Sequence, residues 1–423
     1  MNQTPQLIMN AGQQNAINEF AQFLFNPNEK YFVIRGHSGT GKSTLIDTLL
    51  KDLPKYYQAA RLIDPEFTPM PIQLTATTHK AADNFSQLTG NDVTTIHSFL
   101  GLRLHQDYET GVKQLIPMEN GKKYGYLIFI DEASYLNPRT LMLILQQAVD
   151  CKIVFIGDPD QLLMPRSSNA PVFDAGFKEV GLEETMRQMV NGVPQSNPIT
   201  ELAHEFRRTV TSGKWPEKIT VDGHFVKWMP RDKFLEAIEV EFTRPDWTYK
   251  DSKILAWTND VVIQYNNHVR ALIKGDPQMR VGDYVDNNSY ILTNSKTPIK
   301  TDETVLISEI EPPIELHGVI GNWLTVNKST RVFHPKERKD KSKAEARLRA
   351  NSEYQKANEV SNWADFRAVF AQTVFKAQGS TYGKVFIDLD DIAKCNMGNL
   401  IARMLYVGIS RARYEVILTG DLA

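Results

Sequence analysis

A glycine-rich segment near the start of the chain has the residue types and spacing that phosphate binding requires. GHSGTGKST at residues 36–44 fits the pattern of a glycine, four variable positions and then Gly-Lys-Ser. Glycines let the backbone turn tightly so that N–H groups point at phosphate oxygens, and the following helix favours anions. The pattern therefore predicts ATP binding, with the Lys42 ammonium on the β- and γ-phosphates and the Ser43 hydroxyl on Mg²⁺. The predicted nucleotide contacts are Gly36, Ser38, Gly39, Thr40, Gly41, Lys42, Ser43 and Thr44.

Two further polar clusters carry the residue types that hydrolysis needs. In LIFIDEAS, at residues 127–134, a carboxylate directly follows an apolar run, which predicts Asp131 as a ligand of Mg²⁺. Glu132 is then placed to orient or deprotonate the attacking water. In IGDPDQL, at residues 156–162, Gln161 is predicted to reach the γ-phosphate or its water. A solvated strand end and a simple β-turn are the alternatives for these two clusters.

Short apolar runs precede these clusters and predict the strands that position them. Residues 31–34, 72–76, 127–130 and 152–156 are typical of buried parallel strands, and residues 11–25 of an amphipathic helix. Ligands bind at the carboxyl ends of the strands in open α/β sheets, so the polar clusters are expected along one edge. Residues 101–126 interrupt the pattern and predict a β-hairpin insertion with its turn near residues 109–111.

The second half of the chain predicts another α/β sheet, with strands at residues 254–258, 384–389 and 415–419. Residues 276–370 instead alternate polar and apolar side chains, as in a small β-barrel. Within them, residues 328–349 hold nine Lys or Arg against three Asp or Glu, which indicates a solvated helix or arm, or else a weak nucleic-acid contact. The predicted domains are 1–175, with the insertion 101–126, and 176–275 joined to 371–423, with the insertion 276–370.

Composition and charge exclude several classes of protein. The 423 residues have a formal net charge of −2, which argues against binding duplex nucleic acid through a broad basic surface. A narrow channel that binds a single strand remains compatible with this charge. Cys151 and Cys395 are far apart and in no metal-type spacing, so neither a disulfide framework nor a zinc site is expected. We see no signal-peptide pattern and no apolar run long enough to span a membrane, so we expect a cytoplasmic protein without a membrane partner.

The order of the motifs resembles that of a known family. After the phosphate loop come TATTHKAA (75–82), TIHSF (95–99), DEAS, GDPDQL, VFKAQGSTYGKVFI (374–387) and LYVGISRAR (405–413). This series, which spans nearly the whole chain, resembles superfamily 1 helicases of the RecD-like branch (superfamily 1B). The resemblance implies two RecA-like P-loop domains with ATP in the cleft between them. It also implies that the hairpin is a pin that splits duplex and that residues 276–370 form an SH3-like β-barrel accessory domain.

The resemblance further implies an ATP-dependent DNA helicase that moves 5′ to 3′ on single-stranded DNA, of the type used in phage replication and recombination. The implied partners are single-stranded DNA and its junctions with duplex, a single-strand-binding protein being a further candidate, and the implied state is a monomer in the cytoplasm of a bacterial host. Two other functions stay open. One is a translocase that does not open duplex, and the other is an ATP-switched binding or loading protein.

Individual residues take their roles from the same resemblance. Arg187 in LEETMRQ and Arg411 in SRAR match arginine fingers, which stabilise charge on the transferred phosphoryl group. Gln13 matches the glutamine that reads adenine, and Gln378 and Gly379 match the motif that couples nucleotide to DNA. A surface salt bridge for the arginines and a solvated helix position for the glutamine are the alternatives.

The positions that match strand-contacting residues of the family are Thr78, His79, Thr95, His97, Trp257, Asn259 and Lys376. Hydroxyls and backbone amides there would hold phosphates without reading sequence, and a tryptophan would stack on a base. Structural histidines and a tryptophan in the domain core are the alternatives. Two positions depart from the family pattern. Phe375 replaces a histidine, and Thr77 replaces a proline, which is expected to loosen one backbone restraint.

Overall fold

The computed structural model describes residues 9–164, 169–184, 189–190, 193–194, 197–292 and 298–422. The chain divides into two compact units. The first unit consists of Met1–Leu104 and Leu115–Asn197, and the second of His105–Gln114 and Pro198–Ala423. Among the helices in these ranges, none combines the length and apolar character that crossing a membrane would need.

The first unit is a parallel α/β sheet flanked by helices. Its elements, with the whole of the hairpin included, are α1 (Ala11–Phe25), β1 (Tyr31–Gly36), α2 (Lys42–Ile63), β2 (Ile72–Ala76), α3 (His79–Thr89), β3 (Thr94–Thr95), α4 (Ile96–Phe99), β4 (Leu102–Gln106), β5 (Lys113–Pro117), β6 (Lys123–Tyr124), β7 (Leu127–Asp131), the 3-10 helix η1 (Ala133–Tyr135), α5 (Pro138–Gln147), β8 (Ala148–Val149), β9 (Lys152–Gly157), α6 (Pro171–Asp174), β10 (Lys178–Leu182), β11 (Met189–Val190) and β12 (Val193–Pro194).

Six of these strands form one parallel sheet in the order β10-β1-β9-β7-β2-β3. Apolar side chains alternate between its two faces. Phe32 and Phe129 pack with residues of α1 and α2 on one side, whereas Ile130 and Phe155 pack with residues of α5 on the other. Because both faces of the sheet are buried, each strand consists of consecutive apolar residues in the sequence.

The boundary predicted after residue 175 differs from the one in the structure, where the first unit continues to Asn197. The physical reason is that β10 pairs with β1 in parallel, Ile34 lying opposite Val180, so this strand completes the first sheet. The predicted strand at residues 72–76 coincides with β2. The other predicted strands match to within a few residues at their ends.

The second unit contains a second parallel sheet and an antiparallel one. Its elements are α7 (Pro198–Ser212), β13 (Val226–Trp228), α8 (Arg231–Phe242), β14 (Ser252–Ala256), α9 (Asn259–Lys274), β15 (Tyr284–Asn287), β16 (Thr304–Ile310), β17 (Ile314–Leu316), β18 (Val319–Val326), β19 (Thr330–Pro335), α10 (Arg338–Ala350), α11 (Tyr354–Ser361), β20 (Phe366–Ala368), β21 (Ala371–Thr373), α12 (Val374–Ala377), β22 (Tyr382–Asp388), α13 (Leu389–Ile392), α14 (Gly398–Ile409) and β23 (Ala412–Thr419).

The parallel sheet has five strands in the order β13-β23-β22-β14-β21 and buries Ile254, Phe386 and Ile417 beneath α8 and α9. The antiparallel sheet runs β17-β18-β16-β15-β20, with β19 beside β18. The charged stretch beginning at residue 328 supplies β19 and then α10, so its second part is helical as expected. Helix α10 buries Ala344 and Leu348 against α11 and β19.

The hairpin formed by β4 and β5 is divided between the two units. The sequence predicts it as an insertion in the first domain, but its tip, His105–Gln114, belongs to the second compact unit. Arg349 of α10 donates to the carbonyls of Tyr108 and Glu109 at 3.4 and 3.3 Å, and the rings of Tyr108 and Tyr354 lie 5.7 Å apart. These contacts attach the hairpin tip to α10 and α11.

Candidate nucleotide and nucleic-acid sites

The phosphate loop joins the end of β1 to the start of α2. Gly39 and Gly41 have φ angles of 88° and 78°, in the left-handed region that favours glycine. A Cβ on Gly36 would lie 2.6 Å from Thr40 Oγ1, so a side chain there would displace the turn. The backbone itself therefore requires glycine at these positions. The loop ends at the N-terminus of a helix, which attracts anions.

Gln13 connects the first helix to this loop. Its side chain and that of Asn10 form a reciprocal capping box at the start of α1, with Gln13 N 2.8 Å from Asn10 Oδ1. The Gln13 side-chain amide also donates to the carbonyl of Thr40 at 3.5 Å, and the residue is fully buried. The sequence alternative of a solvated helix position is therefore wrong for Gln13.

Lys42 and Asp131 come together at the carboxyl ends of the strands. Lys42 Nζ donates to the carbonyls of Gly36 and His37 at 2.5 and 3.1 Å. Burial raises the pKa of the Asp131 carboxyl to about 7, and the charge of Glu132 adds to the rise, whereas the Lys42 ammonium opposes it. A buried carboxylate of this kind is stabilised by a further cation.

The Asp131 carboxylate and the Ser43 hydroxyl fit a magnesium ion, because both are hard oxygen donors of the kind that Mg²⁺ prefers. Asp131 ends β7, and Ser43 is the second residue of α2, directly after the phosphate loop. Within the described ranges, no group of three or more His, Cys, Asp or Glu side chains is placed to hold a metal ion.

Glu132 has an uncommon backbone conformation. Its φ and ψ are 54° and 40°, the left-handed helical region, which costs a residue with a side chain about 1–2 kcal/mol. It precedes η1, whose Ala133 and Ser134 nitrogens would lie 3.3 and 3.2 Å from a Cβ on Gly157. The end of β9 thus packs closely against the turn that aims Glu132, and a side chain at Gly157 would require this turn to shift by a few tenths of an ångström.

Gln161 lies in the turn after β9 and is buried. Its side-chain amide donates to Asp158 Oδ2 at 3.1 Å, and the other oxygen of Asp158 accepts from the backbone of Asp160 at 3.0 Å. The Gln161 backbone N–H also donates to the Asp158 carbonyl at 3.2 Å, so the β-turn is present. The turn and the orientation of Gln161 are therefore parts of one arrangement.

Arg411 is buried at the start of β23. Its guanidinium donates to the carbonyls of Val407 and Ser380 at 3.0 and 3.2 Å and to Ser410 Oγ at 2.7 Å. Ser380 follows Gly379, which has a φ of 78°. The arginine is thus fixed beside the segment that the sequence links to nucleotide coupling, and the surface salt bridge proposed as its alternative is wrong.

Phe375 lies in the short helix α12, and Gln378 directly follows that helix. Gln378 lies just beyond α12, and its backbone N–H is 3.4 Å from the carbonyl of Phe375. Phe375 is partly buried on that short helix. Arg187, the other predicted arginine finger, lies outside the described residues.

Threonine side chains cap the helices that follow four strands, each hydroxyl oxygen accepting a backbone N–H from the first turn. They are Thr78 before α3, Thr95 before α4, Thr258 before α9 and Thr373 before α12. Such helix starts present hydroxyl and amide donors, the groups that bind phosphate. Sequence reasoning identified the first two and missed Thr258 and Thr373. A threonine before a periodic segment was the signal that could have found them.

A buried carboxylate organises the region of Trp257 and Asn259. Asp391 accepts from the backbone N–H groups of Trp257 and Thr258 at 2.8 and 2.7 Å. Arg367 donates to the side-chain oxygen of Asn259 at 2.5 Å. Trp257 is only partly buried, so the alternative of a core tryptophan fits it poorly. Sequence reasoning missed Asp391 and Arg367, which are more than 100 positions away from their partners.

The other predicted strand contacts have varied surroundings. Thr78 is exposed and His79, which begins α3, is partly exposed. Burial lowers the pKa of His97, so its imidazole is neutral near pH 7. Lys376 forms an ion pair with Asp302 of the antiparallel sheet region at 2.7 Å.

Comparisons with known proteins show what the chain is similar to. A model described as an AAA domain matches residues 16–165, and one described as a UvrD-like helicase C-terminal domain matches residues 368–419. The chain is also similar to the ATP-dependent DNA helicase Dda of Enterobacteria phage T4, at 26% identity over 96% of this chain and 98% of that protein. These similarities support the resemblance to superfamily 1B helicases.

Among solved structures, the helicase is similar to Pif1 helicase from Bacteroides in complex with ADP-AlF3 and ssDNA, with 14% identity, 99% and 94% of the two chains covered and a TM-score of 0.48. It is also similar to Pif1 helicase from Candida albicans, with 15% identity, 98% and 96% covered and a TM-score of 0.49. The similarity to an ATP-dependent DNA helicase over nearly the whole chain, together with the AAA domain match, indicates an ATP-hydrolysing DNA helicase.

Proposed function

We propose that this helicase binds ATP with Mg²⁺ on the loop at residues 36–44, moves 5′ to 3′ along single-stranded DNA and unwinds duplex. The observation that carries the proposal is the meeting of Lys42 with Asp131, which ends a buried parallel strand and is followed directly by Glu132. Similarity to a DNA helicase over nearly the whole chain supports the nucleic-acid substrate. The 5′ to 3′ direction rests on the family alone.

In the ATP site, each side chain has a separate task. Lys42 neutralises charge on the β- and γ-phosphates, and Gln13 would contact the adenine from the start of α1. Glu132 would orient the attacking water and accept its proton, and Gln161 would hold that water or the γ-phosphate. Asp131 and Ser43 would hold Mg²⁺, whose charge stabilises the transition state of phosphoryl transfer.

The family resemblance also assigns arginines from the second half of the chain to ATP hydrolysis. Arg411 and Arg187 would stabilise the charge that develops on the transferred phosphoryl group. Gln378 and Gly379 would couple nucleotide binding and hydrolysis to the segments that bind DNA. The observation in favour of this proposal is the fixed, buried guanidinium of Arg411 beside the residue that follows Gly379.

The DNA-binding side would use the four threonine-capped helix starts as phosphate contacts, which need no particular base sequence. His79, His97, Trp257, Asn259 and Lys376 would add contacts to the same strand. The hairpin within 101–126 would act as the pin at the duplex junction, and residues 276–370 as an SH3-like accessory domain. We further propose that it acts as a cytoplasmic monomer, with a single-strand-binding protein as a candidate partner.

The test is ATP hydrolysis with and without single-stranded DNA, followed by strand displacement on duplexes with a 5′ or a 3′ tail. We expect stimulation by single-stranded DNA and displacement only from the 5′ tail. Lys42→Ala should abolish both activities, because the ammonium that neutralises the phosphates is gone. Lys51→Ala is the matched control, since Lys51 lies on the same helix in an exposed pair with Asp47.

Each result would distinguish the alternatives. Stimulated hydrolysis without displacement from either tail would indicate a translocase that does not open duplex. Slow hydrolysis without directional movement would indicate a binding or loading protein. Turnover by Lys42→Ala close to that of the unmodified protein would contradict the assignment of the ATP site.

A further inference from the structure

Thr77 contacts the peptides of both acidic residues in the ATP site. Its backbone N–H donates to the carbonyl of Asp131 at 3.2 Å, and its hydroxyl Oγ1 donates to the carbonyl of Glu132 at 3.1 Å. The side chain is buried, so solvent does not compete for these bonds. A proline in this position, as the family usually has, could make neither bond, because it has no N–H and no hydroxyl.

The hydrogen bond from the Thr77 hydroxyl is made to the carbonyl of Glu132, whose backbone has the uncommon left-handed conformation. The Glu132 carbonyl accepts from Thr77 Oγ1 and also from the backbone N–H of Tyr135 at 3.0 Å. A left-handed conformation of a residue with a side chain persists only when its surroundings hold it. Thr77 is therefore one of the groups that fix the direction in which Glu132 leaves the backbone.

Thr77 is also covalently attached to a proposed DNA contact. The next residue, Thr78, is exposed and caps α3 with its hydroxyl oxygen, 3.2 Å from the backbone nitrogen of Ala81. A phosphate bound at Thr78 and the start of α3 would pull on the peptide that follows Thr77. The two hydrogen bonds of Thr77 thus connect the residue before Thr78 to Asp131 and Glu132.

We infer that Thr77 is a positioning residue that couples the DNA contact at Thr78 to the orientation of Glu132. This inference rests on the proposed function, because it assumes that single-stranded DNA binds at Thr78 and that Glu132 acts on the attacking water. Thr77 touches neither ATP nor DNA in this role. It transmits binding of the strand to the turn that aims the carboxylate.

The test compares ATP turnover with and without an oligothymidylate in the full-length protein and in Thr77→Val, Thr77→Ala and Thr77→Ser. Valine and alanine both lack the hydroxyl, and alanine also avoids pressing a methyl group against the Glu132 carbonyl. We expect stimulated kcat to fall about fivefold in both, because one hydrogen bond at the carbonyl is lost. Basal turnover should fall less than stimulated turnover, and KM for ATP and affinity for the oligonucleotide should change less than about twofold.

Thr77→Ser keeps a hydroxyl and should restore most of the stimulation. Thr75→Val is the matched control, because Thr75 is also buried and its Oγ1 donates to the Phe129 carbonyl of the same strand at 2.7 Å. This control removes an equivalent bond away from Glu132 and should retain the stimulation ratio. Melting temperatures of all variants are measured alongside.

Unchanged stimulation in both Thr77→Val and Thr77→Ala would overturn the inference. So would an equal fall in basal and stimulated turnover, or an equal effect of Thr75→Val, since either would indicate a purely structural role. Absence of stimulation in the unmodified protein would instead contradict the proposed function itself. The two failures are therefore distinguishable.

Discussion

Arg367 holds the side-chain oxygen of Asn259 at 2.5 Å, although the two residues are 108 positions apart in the chain. The guanidinium also pairs with both oxygens of Asp365, at 3.2 and 3.0 Å. Burial raises the pKa of Asp365, but the hydrogen bonds and charge of Arg367 outweigh it and leave the pKa below its ordinary value. The ion pair between Arg367 and Asp365 thus orients the side-chain amide of Asn259, which the family resemblance assigns to DNA binding.

Replacing Arg367 with lysine should weaken DNA binding without affecting the ATP site. Lysine keeps a positive charge near Asp365 but cannot make the forked contact with two partners. We expect the concentration of single-stranded DNA that gives half-maximal ATP hydrolysis to rise about threefold, with KM for ATP unchanged. The control is Arg331→Lys, which alters a similar forked pair with Glu311 on the exposed antiparallel sheet. An equal effect of both substitutions would contradict the assignment.

Arg411→Ala should retain nucleotide binding and lose most of the turnover. The proposed finger acts on charge that develops during the reaction, so kcat should fall about 100-fold or more while affinity for a fluorescent ATP analogue stays similar. The neighbouring Arg413 is exposed, and Arg413→Ala is the control. Arg411 also donates to buried carbonyls. A parallel loss of nucleotide binding and melting temperature would therefore indicate a folding role instead.

Arg349→Ala should impair strand displacement more than DNA-stimulated ATP hydrolysis. The substitution removes the bonds that attach the hairpin tip to α10, so the hairpin should be less rigid at the duplex junction. Arg347 offers a matched control, because it lies on the same helix and donates to the carbonyl of His317 rather than to the hairpin. Equal displacement per ATP hydrolysed in the Arg349 variant and the unmodified protein would contradict this role.

The acidic pair predicts a pH dependence of stability in the protein without nucleotide. The pKa of Asp131 is raised in the folded state, so the folded protein binds a proton that the unfolded chain releases. This contribution to the free energy of unfolding is fully present below about pH 4, the pKa of an ordinary aspartate, and is lost as the pH rises through about 7. Asp131→Asn should remove it.

The measurement is the melting temperature of both proteins between pH 5 and pH 8, at constant ionic strength. The difference between Asp131→Asn and the unmodified protein should increase toward pH 8, where the charged carboxylate is costly. Adding Mg²⁺ with a non-hydrolysable ATP analogue should reduce that difference, because a bound cation stabilises the charged carboxylate. A difference that does not vary with pH would contradict the buried position of Asp131.

The sequence by itself determined the local elements of the ATP site. Glycine spacing, the apolar runs and the carboxylates directly after β7 are properties of neighbouring residues, and the periods of strands and helices follow from backbone geometry. The phosphate loop, β2 and the helix at Ala11–Phe25 were therefore predictable. The roles of Arg411 and Gln13 came from a motif resemblance, since no local pattern distinguishes them from surface residues.

Only the tertiary structure decided which distant residues meet. Because β10 pairs with β1, the first unit extends beyond the predicted boundary. The hairpin tip belongs to the second unit, where Arg349 donates hydrogen bonds to it. Thr77 looked like a loosened restraint in the sequence, but in the fold it is bonded to Asp131 and Glu132. Such bonds depend on the parallel register of β2 and β7, which brings Ala76 opposite Asp131. The register arises from packing of the whole sheet, and no segment of the chain encodes it alone.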